Sequence, residues 1–176
     1  MEGTTMKKLK KMQAIFSFYF WKQFYLLIAS FLTGNVWAKA NLGSHHNLDV
    51  NPTVRFGNHP ENIFFKKNTS IGFGAHIYAG KDSKIFVGEN TMIGPFVFIT
   101  TEAFSYSKQE PHKPHSGHAE SVYIGSNVRI GAHAIILPGA KIGDGSSIGA
   151  GSVVTCEVPP NTVFAGNPAK FIKNIE

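Results

Sequence analysis

The stretch VYIGSNVRIGAHAIILPGAKIGDGSSIGAGSVVTCEV, residues 122–158, repeats a pattern every six residues. Each repeat begins with a bulky aliphatic side chain, and a second, mostly small side chain follows four positions later. The aliphatic positions are Ile124, Ile130, Ile136, Ile142, Ile148 and Val154, and the second positions are Val128, Ala134, Ala140, Ser146, Ser152 and Val158. A fixed internal period indicates a repetitive architecture, so it constrains the fold before any other feature of the chain.

A period of six is incompatible with an amphipathic helix, because a helix places apolar residues about every 3.6 positions. Glycine follows the aliphatic residue in four of the six repeats and would interrupt a helix. The pattern instead predicts short parallel strands that coil with three repeats per turn. Residues 18 apart then stack, for example Ile124 on Ile142, and each coil buries the apolar row of its neighbour.

The same pattern extends toward the N-terminus. Its bulky positions there are Phe65, Ile71, Ile77, Val87, Ile93 and Ile99. An inserted turn at residues 79–84 shifts the phase once, and the repeat stops between Ile99 and Val122. Pro159 and Pro160 end the ladder, because proline has no N–H group to donate.

These boundaries divide the chain into three parts. Residues 1–40 form an N-terminal segment, residues 41–62 an irregular lead-in rich in turn residues, and residues 63–176 the repeat domain. Within the repeat domain, residues 100–121 form a long polar loop and residues 159–176 a C-terminal cap. A long loop that interrupts a regular solenoid is usually functional, so we look for the chemistry there.

The N-terminal segment begins with lysines and is rich in aromatic residues. It resembles a signal peptide, but Lys22 and Gln23 break its apolar stretch. The remaining run from Phe24 to Leu32 is too short to span a bilayer. We predict a helix from about Lys8 to Leu32. Such a helix either associates with an anionic membrane surface through residues 8–34, or packs against the first coil or a neighbouring subunit. A third alternative stays open, in which residues 1–40 are a signal peptide that is cleaved after Ala40.

The formal net charge of the chain is +6 and its sequence pI is about 9.4. Nucleic acid is nevertheless an unsuitable partner, because the repeat region lacks a basic stripe with interleaved aromatic residues. Cys156 is the only cysteine, so no disulfide can form within the chain, and this fits a reducing compartment.

The most specific motifs lie near the C-terminus, with VVT at residues 153–155, VPPN at 158–161 and AGNPAK at 165–170. Together with the six-residue repeat, they resemble the hexapeptide-repeat acyltransferases, and within that family the sugar O-acetyltransferases of the maltose acetyltransferase and nodulation acetyltransferase group. The resemblance covers residues 62–176. It implies an all-β solenoid, a left-handed parallel β-helix with an N-terminal helix and a long protruding loop.

The resemblance also implies an acetyltransferase that moves an acetyl group from acetyl-CoA to a sugar hydroxyl. The hydroxyl attacks the thioester directly, and a histidine acts as general base because its pKa lies near neutral pH. The family's histidine falls five residues after Ile99, where this chain has Phe104. Lone Cys156 is not needed as a nucleophile in this reaction.

The general base is therefore expected later in the loop. His115 and His118 are favoured over His112, which is flanked by prolines and lies farther from the returning strand. Glu102 and Glu120 are candidates to orient the imidazole. The three histidines also have a spacing that suits zinc, but three ligands on one loop match the zinc sites of related proteins poorly, so we predict no metal site.

The acetyl-CoA site is expected on the coil. Small residues allow a pantetheine arm to reach backbone groups, and the resemblance assigns Ala132, Ala150 and Thr155 to acetyl-CoA contacts. It assigns Lys170 and Lys173 to the nucleotide phosphates. Two departures from the family pattern are Arg129, where a tryptophan is frequent, and Cys156, where a lysine is frequent.

The resemblance further implies a homotrimer, and its acetyl-CoA donor implies a cytoplasmic location. Membrane association through residues 8–34 would place the protein at the inner face of the membrane. The acceptor would be a small-molecule or lipid-linked sugar in surface polysaccharide or lipopolysaccharide biosynthesis. Two alternatives stay open. Phe104 favours a catalytically inactive trimeric scaffold. A serine acetyltransferase-like enzyme is disfavoured, since the large helical N-terminal domain of those enzymes is missing from this sequence.

Overall fold

The computed structural model describes residues 17–104 and 117–176 of the chain. Short strands dominate this part of the protein. In chain order they are β1 (Asp49–Val50), β2 (Arg55–Asn58), β3 (Ile63–Phe65), β4 (Ser70–Ile71), β5 (His76–Ala79), β6 (Ile85–Val87), β7 (Met92–Ile93), β8 (Phe98–Thr100), β9 (Glu102–Phe104), β10 (Gly117–Ala119), β11 (Val122–Ile124), β12 (Arg129–Ile130), β13 (Ile135–Ile136), β14 (Lys141–Ile142), β15 (Ser147–Ile148), β16 (Val153–Val154), β17 (Glu157–Val158), β18 (Thr162–Ala165) and β19 (Lys170–Asn174).

The strands wind into a parallel β-helix with three sheets. Sheet A contains β3, β6, β11, β14 and β17, and sheet C contains β2, β5, β8, β13 and β16. Sheet B contains β1, β4, β7, β12, β15 and β18, and antiparallel β19 closes its last edge. The chain passes from sheet A to sheet B to sheet C in each complete coil, so each strand of the helix pairs with strands one coil away.

Residues 18 apart pair in the later coils, as the six-residue period predicted. Ile124 lies beside Ile142 in sheet A, and Ile130 lies beside Ile148 in sheet B. All four side chains are buried. The apolar column that the repeat predicted is therefore the core of the protein.

The earlier coils are longer. Phe65 pairs with Val87 and Ile71 with Ile93, so partners there lie farther apart along the chain than in the later coils. The additional residues lie between Ile77 and Val87, in the longer strands β5 and β6 and in the turn 80–84 between them, where the sequence had indicated an interruption. The prediction of one phase shift is confirmed.

The three corners of the coil differ in how much their length varies. Four residues connect most strands at the A–B corner, which leads from sheet A to sheet B, and at the B–C corner, which leads from sheet B to sheet C. The C–A corner, which leads from sheet C to the next strand of sheet A, ranges from the short connection at 155–156 to the whole segment 101–121. Insertions are therefore concentrated at one corner of the β-helix, the C–A corner.

Residues 41–62 are more regular than their weak periodicity indicated. Val50 pairs with Ile71, and Phe56 pairs with Ile77, so this segment forms two sides of a first coil. In neither pair is the interval along the chain a multiple of six. A search for the six-residue period therefore passes over this coil, although the interior side chains Val54 and Phe56 are as buried as those of later coils.

Small polar residues fill several inward positions at the A–B corner. The Thr91 hydroxyl donates to the carbonyl oxygen of Gly125 at 2.8 Å, and the Ser146 hydroxyl donates to that of Pro159 at 2.7 Å. Each bond crosses to the next coil. The buried hydroxyls therefore have acceptors, which removes the desolvation cost of placing them inside.

Asparagines stack on the outside of the A–B corner, where the backbone turns through the left-handed region. Asn47, Asn68, Asn90 and Asn127 have φ angles between 47° and 58°. Each of the first three donates through Nδ2 to Oδ1 of the next asparagine, at 2.6, 3.1 and 3.3 Å. Asparagine adopts this conformation more readily than other non-glycine residues. The ladder therefore supports both the turn geometry and the stacking of coils.

A helical segment precedes the β-helix. It consists of α1 (Phe18–Phe31), a π-helical stretch (Leu32–Trp37) and α2 (Ala38–Ala40). The predicted helix from Lys8 falls partly in residues 1–16, which lie outside the described residues. No helix in the described part of the chain is long and apolar enough to cross a membrane.

The end of this helical segment covers the first coil. Asn35 and Ala38 are buried, and Asn35 Nδ2 donates to the carbonyl oxygen of Val54 at 2.6 Å. Leu42 is also buried. The apolar interior of the coil is therefore shielded from water at its N-terminal end by residues that follow α1.

The asparagine ladder gives a prediction about stability. Asn90→Ala should lower the free energy of unfolding by about 1–2 kcal/mol, because alanine pays the full cost of the left-handed conformation. Asn90→Gly is the matched control, since it removes the same side chain but adopts the conformation freely. Urea unfolding should show a smaller loss for the glycine variant. Equal losses in both variants would mean that the amide ladder, and not the backbone conformation, dominates.

Candidate active site

The long loop leaves the coil at the C–A corner, between β8 and β11. Its two ends pair as an antiparallel hairpin, in which His118 lies beside Ala103. Thr101, at the base of the hairpin, is fully buried. Its hydroxyl oxygen accepts hydrogen bonds from the Gly80 N–H at 2.7 Å and from the Ser83 hydroxyl at 2.6 Å. The start of the loop is therefore fixed to the preceding coil.

His118 is the candidate base within the described residues; His112 and His115 lie outside them. The Nε2 atom of His118 is 2.9 Å from Oε2 of Glu120, and both side chains are exposed. The Glu120 carboxylate lies against the next coil, where a Cβ added at Gly139 would come within 2.6 Å of it. Glu120 therefore holds one nitrogen of the imidazole, and Nδ1 has no partner among the described residues.

Glu102 does not share this arrangement. Its carboxylate lies at Gly80, and it accepts a long hydrogen bond from Asn58 Nδ2 at 3.4 Å. Of the two carboxylates that the sequence suggested, the geometry brings only Glu120 to the described histidine. Phe104, at the position of the family's histidine, pairs through its backbone with Gly117 at the far end of the described hairpin.

A second histidine–carboxylate pair occupies the same corner in the first coil. His59 Nδ1 lies 2.9 Å from Oε1 of Glu61. This hydrogen bond, assisted by the Glu61 backbone N–H, holds the pKa of the Glu61 carboxyl below its usual value. Sequence reasoning missed the pair because it treated residues 41–62 as irregular. It is separate from the long loop, so we do not include it in the candidate site.

The B–C corner carries the row of small residues. Ala132 and Ala150 occupy equivalent positions in consecutive coils, and the N–H of Gly151 donates to the carbonyl oxygen of Ala132 at 2.9 Å. The coils are so close that a Cβ added at Gly131 would lie 2.5 Å from the nitrogen of Ala150. The row continues to Ala165 in the last coil. This corner therefore presents backbone groups without large side chains around them.

The two lysines lie on β19 and are exposed. Lys170 pairs with Ala165, so it stands at the end of the row of small residues. Lys173 pairs with Val163 and lies farther across sheet B. Thr155 is also exposed, but it follows β16 and lies at the C–A corner, on the other side of sheet C from the row.

The two halves of the candidate site thus lie at opposite edges of sheet C. Within one coil, Ala132 lies before β13 and Gly139 lies after it. Gly139 is the residue beside the His118–Glu120 pair. Seven residues separate these positions, a distance of at most about 25 Å when extended. A long, flexible substrate can extend from the hairpin to the lysines.

A groove of about 890 Å³ lies over the outer face of sheet B. Its lining includes Arg129, Ser147, Lys173 and Glu176. Within the described part of the chain, neither Arg129 nor Lys173 forms an ion pair, with Glu176 or with any other carboxylate. The groove therefore presents two basic side chains on the sheet that ends at the row of small residues.

Sequence reasoning also missed an aromatic column at the B–C corner. The Phe96 ring stacks on the His133 ring at 4.9 Å between centroids, with an angle of 13° between planes. Phe73 meets Phe96 edge to face at 5.2 Å. The intervals between these three rings in the sequence are not multiples of six, so the repeat does not reveal the column. The corner changes from aromatic in the early coils to small in the later ones.

Comparison with known proteins gives a consistent result. The bacterial transferase hexapeptide family (six repeats) matches residues 121–156. Galactoside O-acetyltransferase of Escherichia coli (strain K12) is 36% identical over 119 residues, covering 64% of this chain and 58% of that protein. The chain spans just over half the length of the curated galactoside O-acetyltransferases that it matches.

Solved structures extend the match. A maltose O-acetyltransferase from Clostridium difficile 630 is 35% identical, with a TM-score of 0.67, covering 79% of this chain and 73% of that one. A galactoside acetyltransferase in complex with coenzyme A is 30% identical, also with a TM-score of 0.67, covering 79% and 68%. The chain therefore belongs to the hexapeptide-repeat transferases. Its fold is the left-handed parallel β-helix that the resemblance implied.

The base of the hairpin gives a second prediction. Thr101→Val keeps the side-chain shape but removes the acceptor of two hydrogen bonds, leaving buried donors at Gly80 and Ser83. Each unsatisfied donor costs about 1–3 kcal/mol. We therefore expect a loss of about 2 kcal/mol or more in urea unfolding, and faster hydrogen exchange at the Glu120 N–H, which donates to the Thr101 carbonyl oxygen at 2.9 Å. Thr101→Ser keeps the hydroxyl and should retain both properties.

Proposed function

We propose that this protein is an acetyl-CoA-dependent O-acetyltransferase that transfers an acetyl group to a sugar hydroxyl. The observation that carries the proposal is the 35% identity to a maltose O-acetyltransferase over 73% of that protein's length. The galactoside O-acetyltransferases among its relatives point to the same class of acceptor. Residues suited to both substrates are present on the coil and on the hairpin.

Acetyl-CoA is proposed to lie along sheet C and the B–C corner. A related galactoside acetyltransferase has been solved with coenzyme A, which supports this donor. The row of small residues at Ala132 and Ala150 suits the pantetheine arm, because the amides of the arm can reach backbone groups there. Lys170 and Lys173 suit the nucleotide phosphates as charge-assisted donors. Thr155, at the other edge of sheet C, would contact the donor nearer its thioester.

The reaction is a direct transfer. His118 would accept the proton of the acceptor hydroxyl through Nδ1 while the hydroxyl oxygen attacks the thioester carbonyl. Glu120 would hold the imidazole and stabilise its positive charge after proton transfer. The carbon–sulfur bond then breaks, the thiolate of coenzyme A takes the proton from the imidazolium, and an acetyl ester is released. Every step uses groups on the hairpin, close to the edge of sheet C.

The wider setting follows from the substrates. A donor made in the cytoplasm places the reaction there, and an acceptor sugar of small-molecule or lipid-linked form fits surface polysaccharide or lipopolysaccharide biosynthesis. We also propose a homotrimer. The β-helix of a single chain leaves the groove over sheet B open. A neighbouring copy of the chain would cover this groove and complete the acetyl-CoA site.

A catalytically inactive scaffold is the second candidate. Phe104 favours it, because the aromatic side chain cannot replace an imidazole as a proton acceptor. The two functions differ in donor binding. An enzyme binds acetyl-CoA with saturation, as measured by calorimetry, whereas a scaffold does not.

The general base gives a third prediction. His118→Ala should lower kcat by roughly 10²- to 10⁴-fold, the usual contribution of a positioned proton acceptor, while the affinity for acetyl-CoA stays nearly unchanged. Turnover can be followed by release of free thiol with a panel of sugars.

His112→Ala and His115→Ala are the matched controls on the same loop, and both should keep kcat close to wild type. A large loss in one of them, with none in the His118 variant, would transfer the role to that residue. If all three variants retain wild-type kcat, the loop supplies no base, and Glu102 becomes the residue to test.

The phosphate contact gives a fourth prediction. A hydrogen bond to a charged group contributes about 1.5–3 kcal/mol, so Lys170→Ala should raise KM for acetyl-CoA roughly 10- to 100-fold. The effect should be small with acetyl-pantetheine, which lacks the phosphates. Lys141→Ala, at an exposed position on sheet A, is the matched control and should leave KM unchanged. An unchanged KM in the Lys170 variant would remove this lysine from the site.

A further inference from the structure

Helix α1 exposes an apolar surface that the coil does not cover. No residue of the helix is buried. The aromatic rings of Phe20, Trp21 and Phe24 pack against one another with centroids 5.6–6.2 Å apart, yet all three remain exposed. Tyr25 is 70% exposed. Soluble domains rarely present so continuous an apolar patch unless it is an interaction site.

Closure of the coil does not explain this surface. The residues that shield the first coil, Asn35, Ala38 and Leu42, all follow α1. Helix α1 itself is joined to the coil near its last turn, where Arg55 Nη1 donates to the Ser30 hydroxyl at 2.8 Å. Within the described residues, the backbone hydrogen bonds of its first turns stay inside the helix or go to Ser17. The exposed rings therefore have no structural role in the coil that would account for them.

The helix has an apolar face opposite its single lysine. Lys22 lies on one side, and Gln23 and Ser30 lie along an edge between the two sides. The apolar face follows the i, i+4, i+7, i+8, i+11 spacing of a helix and consists of Phe20, Phe24, Leu27, Ile28 and Phe31. Near the end of α1, this face borders an apolar cavity of about 420 Å³ between the helix and the first coil. The side that carries Lys22 also carries Phe18 and Leu26, both exposed, so α1 is apolar around most of its circumference. A helix that is apolar on nearly all sides is normally buried in a protein core or in a membrane.

Charge is concentrated in the same part of the chain. Residues 1–48 contain six lysines and one acidic residue, whereas residues 49–176 contain eleven lysines and arginines and ten acidic residues. Nearly all of the net charge of +6 therefore belongs to the segment that carries α1. The β-helix domain itself is almost neutral.

The residue types add a further indication. Trp21 and Trp37 are the only tryptophans of the chain, and both are more than half exposed in this segment. Tyr19 and Tyr25 are also exposed here. Tryptophan and tyrosine are enriched where proteins meet the lipid headgroups, because their rings are apolar and their N–H or O–H groups stay hydrated.

We propose that α1 docks this protein on an anionic lipid bilayer. The exposed aromatic side chains in the first turns of α1 would enter the boundary between headgroups and acyl chains, and the net positive charge of residues 1–48 would favour an anionic surface. A second copy of the chain fits the surface less well. Pairing of α1 with another α1 would bring two segments of the same strong positive charge together, and like charges repel. An anionic surface provides the opposite charge.

The two tryptophans allow a test on the full-length protein without a label. The probe is a vesicle of phosphatidylcholine mixed with the anionic lipid phosphatidylglycerol, compared with a vesicle of phosphatidylcholine alone. We expect a blue shift of tryptophan emission and co-sedimentation with the anionic vesicles only. Raising the salt from about 0.1 M to about 1 M shortens the screening length roughly threefold and should release most of the protein.

Substitutions identify the surface. The triple variant F20S/W21S/F24S should lower the partition coefficient at least roughly tenfold, with thermal unfolding of the coil unchanged. The matched control is F73S/M92S, which removes two apolar side chains of similar exposure from the coil. It should bind anionic vesicles as the wild type does. Trp21→Phe and Trp37→Phe then show which tryptophan enters the interface, and Trp21 is expected to account for most of the shift.

Two outcomes would overturn the proposal. One is an absence of vesicle binding by the wild type. The other is an apolar face covered by a second copy, which sedimentation would reveal as an assembly that dissociates in the triple variant while vesicles have no effect. Activity is not part of this test, so failure of the proposed acetyltransferase function would leave its result intact.

Discussion

The structure depends on the hydrogen bonds between successive coils. A strand of two residues has no stability of its own, and the parallel strands described here obtain their parallel partners from the coils before and after them. Those hydrogen bonds form only if equivalent residues of consecutive coils lie in register. The stacked isoleucines, the asparagine ladder and the row of small residues are three results of that single requirement. Each is a column of side chains that the same register aligns.

This requirement also decides how much of the fold the sequence predicts. Where each coil holds three complete repeats, as from Ile124 to Val158, the period of six is visible and the pairing partners follow from counting. The first coil has the same buried interior, but the interval to its partners is not a multiple of six, which conceals it. The aromatic column of Phe73, Phe96 and His133 is concealed for the same reason. Local pattern predicts a strand, whereas the length of each corner determines which strand lies beside it.

The sequence likewise predicted some features of the candidate site and not others. Ala132 and Ala150 are 18 residues apart, so the repeat predicts that they stack in consecutive coils. The roles of these residues and of Lys170 were implied only by the resemblance to the family. The partner of His118 did not follow from the sequence, because the sequence offered two carboxylates. The register of the hairpin, and the backbone of the next coil at Gly139, bring Glu120 to the imidazole and leave Glu102 at Gly80. The exposure of α1 likewise depends on where the chain first meets the coil, which no periodicity encodes.

The corners of the coil have one further consequence. Two of them keep a nearly constant length, because their left-handed residues and stacked side chains repeat from coil to coil, while the third accepts both very short and very long segments. The row proposed for the donor lies at a constant corner, and the histidine hairpin leaves from the variable one. The segment proposed to meet the acceptor can therefore change in length and sequence without altering the corner proposed to hold the donor. A protein built this way can acquire new acceptors by changing one loop while the rest of its architecture is inherited unchanged.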